Sequence, residues 1–182
     1  GASWSASPTY DLPETLSGAA WTCTASPPPG LLRFVNSVQN GGGGVTGLAG
    51  AADLAVTGDG RHVYAVGETD AAVVVLERNP SDGNLAFVAS FFDGAGGFDG
   101  LAGATAVAVS PDGGHVYVAG EIDDAVAVLA RDAATGELTF VELERDGLAG
   151  VNGLGGVRDV AVSPDGAHLY GAGSADNAVA IF

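Results

Sequence analysis

Oxygen-bearing side chains recur six residues apart in glycine-rich stretches of the sequence. Asp93 pairs with Asp99 in this way, and Asp146 pairs with Asn152. Calcium takes about six to eight oxygen ligands at no fixed angles, so this pattern makes the four residues candidate Ca²⁺ ligands. The alternative is that Asp and Asn cap tight turns while glycine supplies a positive φ. We expect no other cofactor.

Other residues that could take part in catalysis or metal binding form weaker sequence patterns. Glu121 and Asp123 lie in a turn, where water keeps carboxylates from the desolvation that acid-base catalysis requires. His62, His115 and His168 lie in separate repeat units, which places them too far apart for one metal ion. The sequence contains no Gly-x-Ser-x-Gly, phosphate-loop or Cys-x-x-Cys motif. These observations favour a protein without enzymatic activity.

The charge balance excludes several classes of partner. The chain has 22 acidic residues, six arginines and no lysine, which gives a formal net charge of −16. This charge repels phosphates, so we expect no nucleic-acid partner. No apolar run approaches the roughly 20 residues of a membrane helix, so we expect no membrane insertion. The excess of acid and the single cysteine favour an extracellular or cell-surface location.

A repeat of 53 residues organises the chain and positions these side chains. His62, His115 and His168 share one position of the repeat. Within one period, four short runs of β-type residues are separated by turn residues such as Ser110-Pro-Asp-Gly113. Small residues in the first run suit the crowded axis of a β-propeller. We therefore predict an all-β fold of three four-stranded antiparallel propeller blades, incomplete as a single-chain ring.

The repeat also predicts the domain boundaries. Residues 31–182 form the propeller-type domain, with a fourth strand at 32–39, blades at 52–92 and 105–145, and an incomplete blade at 158–182. The last blade lacks its fourth strand, and the first strand lacks its blade. Because a propeller needs about four or more blades, a neighbour must complete the ring. Residues 1–30 form an N-terminal arm, a candidate donor strand for that neighbour.

Two stretches resemble known families. The motif Val-Ala-Val-Ser-Pro-Asp-Gly-x-His-Val-Tyr-Val at residues 107–118 resembles the YVTN-type and lactonase-like β-propeller repeats of bacterial proteins. This resemblance covers residues 31–182 and implies either a non-catalytic surface protein or a lactonase. Residues 10–26 resemble a fragment of a β-sandwich repeat of unknown function in bacterial surface proteins.

These features together predict a non-enzymatic extracellular structural protein. We expect it to be a homo-oligomer or homopolymer that self-assembles, as a fibre or surface assembly, through β-strand complementation between propeller-like subunits. The alternative is a lactonase-like β-propeller enzyme, or a fragment of one, completed by dimerisation. The predicted interface residues are Trp4, Tyr10, Ala20, Trp21, Thr22, Cys23, Ala178, Val179, Ala180, Ile181 and Phe182. Closed rings and open filaments both satisfy these strands.

Overall fold

The computed structural model describes Leu32 and residues 34–182, and this part of the chain is built from β-strands. The chain divides into two units, Gly1–Phe34 and Val35–Phe182. The strands of the second unit are β1 (Ala51–Val56), β2 (His62–Gly67), β3 (Ala72–Arg78), β4 (Leu85–Phe92), β5 (Ala104–Val109), β6 (His115–Gly120), β7 (Ala125–Arg131), β8 (Leu138–Arg145), β9 (Val157–Val162), β10 (Leu169–Gly173) and β11 (Ala178–Ile181). Among the described residues there is no helix of the length and apolar character needed to cross a membrane.

The strands form three separate antiparallel sheets. Strands β1 to β4 form the first sheet in chain order, β5 to β8 form the second, and β9 to β11 form a third with three strands. Tight turns between the first and second strands of each sheet place Gly60, Gly113 and Gly166 at φ near +70°, a conformation that glycine adopts without steric cost. The prediction of an all-β chain of propeller-type blades is confirmed, and the three sheets do not close a ring.

The sheets pack face to face around two apolar cores. One core joins the first two sheets and contains Tyr64, Val75, Val116 and Leu129. The other joins the second and third sheets and contains Val126, Leu154 and Val160, among others. Alternate side chains of one strand point to opposite faces, so the valine and alanine runs of the second sheet serve both cores.

The predicted strand at 32–39 is not observed, because residues 34–39 form no strand. The first sheet begins at β1, and residues 34–39 pair with neither of its edge strands, β1 and β4. Val38 instead packs against the apolar cluster of Val63, Val74 and Leu76 on the first sheet. The predicted arm, with Trp4, Tyr10, Ala20, Trp21, Thr22 and Cys23, lies outside the described residues.

The loop that enters each sheet passes across the end of that sheet's second strand. A Cβ atom placed on Gly67, Gly120 or Gly173 would lie 2.2, 2.3 or 2.2 Å from the carbonyl oxygen of Gly47, Gly100 or Gly153. Glycine is therefore needed at these positions because the loop backbone approaches the strand closely. We call this edge of the sheets, with the entering loops and the turns between second and third strands, the loop end.

Each first strand begins with a β-bulge at the loop end. The pairing register skips one residue in β1, β5 and β9, and the skipped residues are Ala52, Thr105 and Arg158. A bulge leaves one residue out of the ladder and redirects its side chain, and such irregularities are frequent next to active sites. The third sheet thus presents an arginine where the other two present a small residue.

Candidate functional site

The acidic residues of the loop end mainly hold the entering loops. Asp93 Oδ1 accepts a hydrogen bond from the Leu101 amide at 3.0 Å, and Asp123 Oδ2 accepts one from the Ala102 amide at 2.9 Å. In the repeat before, Asn40 and Asp70 occupy these two positions, and in the repeat after, Asp146 and Asp176 do. Both pairs accept hydrogen bonds from loop amides in the same way. Loop capping therefore accounts for most of these side chains.

The structure brings together only part of the predicted calcium ligand set. Oxygens of Asp93, Asp99 and Asp123 lie within 4.8 Å of one another, while Asp146 and Asn152 belong to the next loop and are not part of this group. Arg145 Nη2 lies 3.3 Å from Asp99 Oδ1 and 3.4 Å from Asp123 Oδ1. This guanidinium supplies positive charge where a cation would bind. Calcium binding stays a prediction that the structure leaves untested.

Arg158 is the cation that lines an open cavity at the loop end. The cavity has a volume of about 510 Å³ and is also lined by Ser174 and Asn177. The Arg158 side chain is 62% exposed, because the bulge at the start of β9 turns it out of the sheet. An exposed guanidinium beside a cavity is suited to bind a carboxylate, a phosphate or a developing oxyanion.

The orientation of Arg158 is set by two neighbours. Its Nη2 group forms an ion pair with Glu121 Oε1 of the second sheet. Its Nε group donates to Ser174 Oγ at 3.2 Å, and that hydroxyl donates in turn to the Gly156 carbonyl at 2.8 Å. Among the described residues, Nη1 has no hydrogen-bond partner. One edge of the guanidinium is thus held in place while another is open to a ligand.

A second polar cluster, built around a buried arginine, lies at the opposite end of the first two sheets. Arg131 Nε donates to Tyr64 Oη at 3.0 Å, and Arg131 Nη2 lies 2.9 Å from His62 Nδ1 and 3.1 Å from Asp59 Oδ2. Tyr64 Oη donates to the Gly136 carbonyl at 2.8 Å. We call Asp59, His62, Tyr64 and Arg131 the Arg131 joint. Because the Arg131 side chain is only 2% exposed, the joint connects two sheets and is closed to substrate.

Two pKa values in the joint are displaced. The hydrogen bond from Thr57, followed by that from the Arg61 amide, lowers the pKa of Asp59 far below its usual range, and Arg131 adds to the effect. Burial lowers the pKa of His62, and the positive charge of Arg131 lowers it further. His62 is therefore neutral in the folded protein at neutral pH, so its Nδ1 can accept a hydrogen bond from Arg131.

Reasoning from sequence did not single out Arg158. The available signal was the departure from the repeat, since equivalent positions hold Ala52 and Thr105. A residue required for folding tends to recur in every repeat, whereas one that occurs once is a candidate for function. Of the three histidines, His62 enters the Arg131 joint, and His115 and His168 occupy the equivalent positions of the other two sheets.

Comparison with protein families gives a match over most of the chain. Residues 34–182 match the family model described as lactonase, 7-bladed beta-propeller. Among curated proteins, no sequence matches the chain significantly.

Solved structures of propeller proteins resemble the fold. A putative 6-phosphogluconolactonase from Bacteroides fragilis is 24% identical with a TM-score of 0.61, covering 74% of this chain and 35% of that one. A putative 6-phosphogluconolactonase from Bacteroides uniformis is 20% identical with a TM-score of 0.59, covering 72% and 36%. The periplasmic gluconolactonase of Pseudomonas aeruginosa is 28% identical with a TM-score of 0.59, covering 71% and 34%. The chain spans about a third of the length of these structures.

The comparisons contradict the expectation of a non-enzymatic structural protein that assembles into fibres. They favour the alternative, a lactonase-like propeller enzyme. The expectation depended on the incomplete ring, and an incomplete ring does not distinguish a structural subunit from part of an enzyme. The preference for a protein without enzymatic activity was wrong for the same reason. With a family match over residues 34–182 and three sheets of the matching fold, the chain belongs to the family of lactonases built on a seven-bladed β-propeller.

Proposed function

We propose that this chain is part of a lactone-hydrolysing propeller enzyme and that its substrates are sugar lactones. The observation that carries the proposal is the lactonase family match over residues 34–182. The similarity to a gluconolactonase supports the substrate class. An extracellular or cell-surface location stays a prediction.

Lactone hydrolysis requires a group that stabilises negative charge on oxygen. Water adds to the carbonyl carbon, the ring C–O bond then breaks, and a hydroxy acid is released. The carbonyl oxygen carries negative charge in the tetrahedral intermediate, and a fixed donor lowers the barrier to forming it. Arg158 is placed for this role by its exposure and by the cavity beside it.

Glu121 and Ser174 then act as positioning residues. The ion pair with Glu121 and the hydrogen bond to Ser174 Oγ restrict the rotation of Arg158 before a ligand arrives. A preoriented guanidinium loses less side-chain entropy on binding than a free one. Since Glu121 is already paired, it is not assigned the role of general base.

The test is hydrolysis of glucono-δ-lactone and of its 6-phosphate, followed by acid release and corrected for the spontaneous rate. We expect Arg158→Gln to lower kcat/KM by about a hundredfold, the effect of removing one oxyanion donor. Arg61→Gln is the control, since Arg61 is also exposed but lies in a turn at the opposite end of the first sheet.

Two outcomes would contradict the proposal. If a protein that contains this chain hydrolyses neither lactone above the spontaneous rate, the proposed function is wrong. If the chain is active and the Arg158 and Arg61 variants match it, Arg158 has no role in the reaction. A Glu121→Gln variant tests the positioning role. Without its ion pair, Arg158 rotates more freely, so kcat/KM should fall, but by less than in the Arg158→Gln variant.

A further inference from the structure

We propose that Thr105 and Asp124 of the second sheet are positioning residues for Arg158 of the third sheet. They hold the backbone of residues 156–158, on which the direction of the Arg158 side chain depends. The inference rests on the proposed function, because it adds two residues to the same site. The contacts that carry it lie between the second and third sheets.

The backbone before Arg158 is bound on both sides of Gly156. The Gly156 amide donates a hydrogen bond to Asp124 Oδ1 at 2.6 Å. The Gly156 carbonyl accepts one from Ser174 Oγ at 2.8 Å, and the same hydroxyl oxygen accepts one from Arg158 Nε at 3.2 Å. Asp124 is thus connected to the guanidinium through one glycine and one serine.

Gly156 has little conformational restraint of its own. Its φ is 59°, and glycine moves between positive and negative φ at little steric cost. A change of φ at this position would turn the amide and the carbonyl relative to each other and would displace Arg158, two residues later. The hydrogen bond to Asp124 opposes this change because it fixes the amide side.

Thr105 holds the next residue of the segment. Its Oγ1 donates to the Val157 carbonyl at 3.2 Å, while a longer contact of 3.4 Å reaches the Ala119 carbonyl of its own sheet. Val157 is fully buried, and it immediately precedes the residue that the β9 bulge leaves out of the ladder. Thr105 therefore ties the bulge that exposes Arg158 to the second sheet.

Comparison of the repeats shows that these contacts are specific to this junction. In the first sheet, Ala52 stands at the position of Thr105, and Ala71 stands at that of Asp124. In the part of the chain that the structure describes, no side chain of the first sheet forms a hydrogen bond with residues 103–105, the equivalents of 156–158. The first two sheets pack without such bonds, so packing alone does not account for the two polar residues. They occur at the junction that carries the exposed arginine.

The repeats also supply matched substitutions for Asp124. Ala71, Asp124 and Asn177 share one position, with φ of 51°, 51° and 53°, so alanine and asparagine both fit this left-handed conformation. Asp124→Ala removes the acceptor, whereas Asp124→Asn removes the charge and keeps an acceptor. We expect Asp124→Ala to lower kcat/KM for glucono-δ-lactone about tenfold, mainly through kcat, and Asp124→Asn to keep most of the activity.

Thr105→Val and Thr105→Ser form a second pair, because valine keeps the shape of threonine and serine keeps its hydroxyl. Thr105→Val should lower kcat/KM by a similar factor, and Thr105→Ser should keep most of the activity. In a protein that already carries Arg158→Gln, neither Asp124→Ala nor Thr105→Val should lower kcat/KM further, because residues that act through one group are not additive. Equal losses with and without Arg158 overturn the inference.

An NMR measurement tests the positioning without lactone hydrolysis. The Nε–H cross-peak of Arg158 is recorded in the protein that contains this chain and is assigned by its absence in the Arg158→Gln variant. We expect the cross-peak to be lost to exchange with water in Asp124→Ala and Thr105→Val, because the hydrogen bond to Ser174 is loosened, and to be kept in Asp124→Asn and Thr105→Ser.

This measurement separates the positioning from the proposed function. If the cross-peak of Arg158 follows the expected pattern and the protein hydrolyses no lactone, the positioning is right and the proposed function is wrong. If the cross-peak is the same in all four variants of Thr105 and Asp124, the inference is overturned whether or not the protein is active.

Discussion

Replacing Arg131 by methionine should weaken the contact between the first two sheets and lower the free energy of unfolding. Methionine keeps the aliphatic packing of the side chain. The substitution removes hydrogen bonds to Tyr64 Oη, His62 Nδ1 and the Gly113 carbonyl, as well as the ion pair with Asp59. Each hydrogen bond to a charged group contributes roughly 1.5–3 kcal/mol. The Asp59 side chain is 40% exposed, so its ion pair adds at most about 1 kcal/mol.

These contributions are partly offset, because the variant no longer buries a charged group. We therefore expect the free energy of unfolding to fall by about 3 kcal/mol. For a chain of this size, roughly 2–4 °C are lost per kcal/mol, so the melting temperature should fall by about 6–12 °C. Urea titration gives the free energy, and thermal unfolding checks it, at a concentration where the chain is monomeric.

Arg78→Met is the control, since Arg78 is the equivalent residue and has one hydrogen bond, to the Gly60 carbonyl, among the described residues. It should lower the free energy of unfolding by about 1.5 kcal/mol, the lower end of the range for one hydrogen bond of a charged group, because Arg78 is only partly buried. If the Arg131 variant loses no more stability than the Arg78 variant, the Arg131 joint does not hold the sheets together and the reasoning is refuted.

Two further predictions concern pH and the loop end. Burial lowers the pKa of His62 from 6.5. The contribution of His62 to the free energy of unfolding is therefore present above pH 6.5 and is lost as the pH falls below that value. Urea titrations at several pH values should show this decline, and the His62→Gln variant should show a weaker one. Gly120→Ala places a Cβ 2.3 Å from the Gly100 carbonyl oxygen and should cost about 2–3 kcal/mol. Gly58→Ala, whose Cβ meets nothing within 4 Å, should stay within about 1 kcal/mol, and equal losses would contradict the proposed close approach.

Much of the fold was predictable because each repeat contains turn and strand residues whose conformational preferences act locally. Turns such as Ser110-Pro-Asp-Gly113 end a strand through φ restrictions and side-chain capping that act within a few residues. The predicted strand at 32–39 failed for the opposite reason. Its side chains are β-type, but a strand must also pair with the edge of a sheet, and local sequence does not show whether the segment reaches one.

The candidate site was less predictable. The carboxylates of Asp93 and Asp99 lie close together, but the third member of that group, Asp123, lies on a different turn. Arg145, which forms ion pairs with Asp99 and Asp123, comes from the end of β8. Arg158 was passed over because its exposure depends on a bulge in strand pairing.

The sequence by itself determined the all-β class, the 53-residue period and the turn chemistry, because these depend on backbone preferences over a few residues. The tertiary structure decided what the polar residues do. His62, Asp59 and Arg131 are separated by up to 72 residues in the chain and meet only because two sheets pack face to face. Distances across such a contact depend on how whole sheets pack, and no local pattern of residues specifies them.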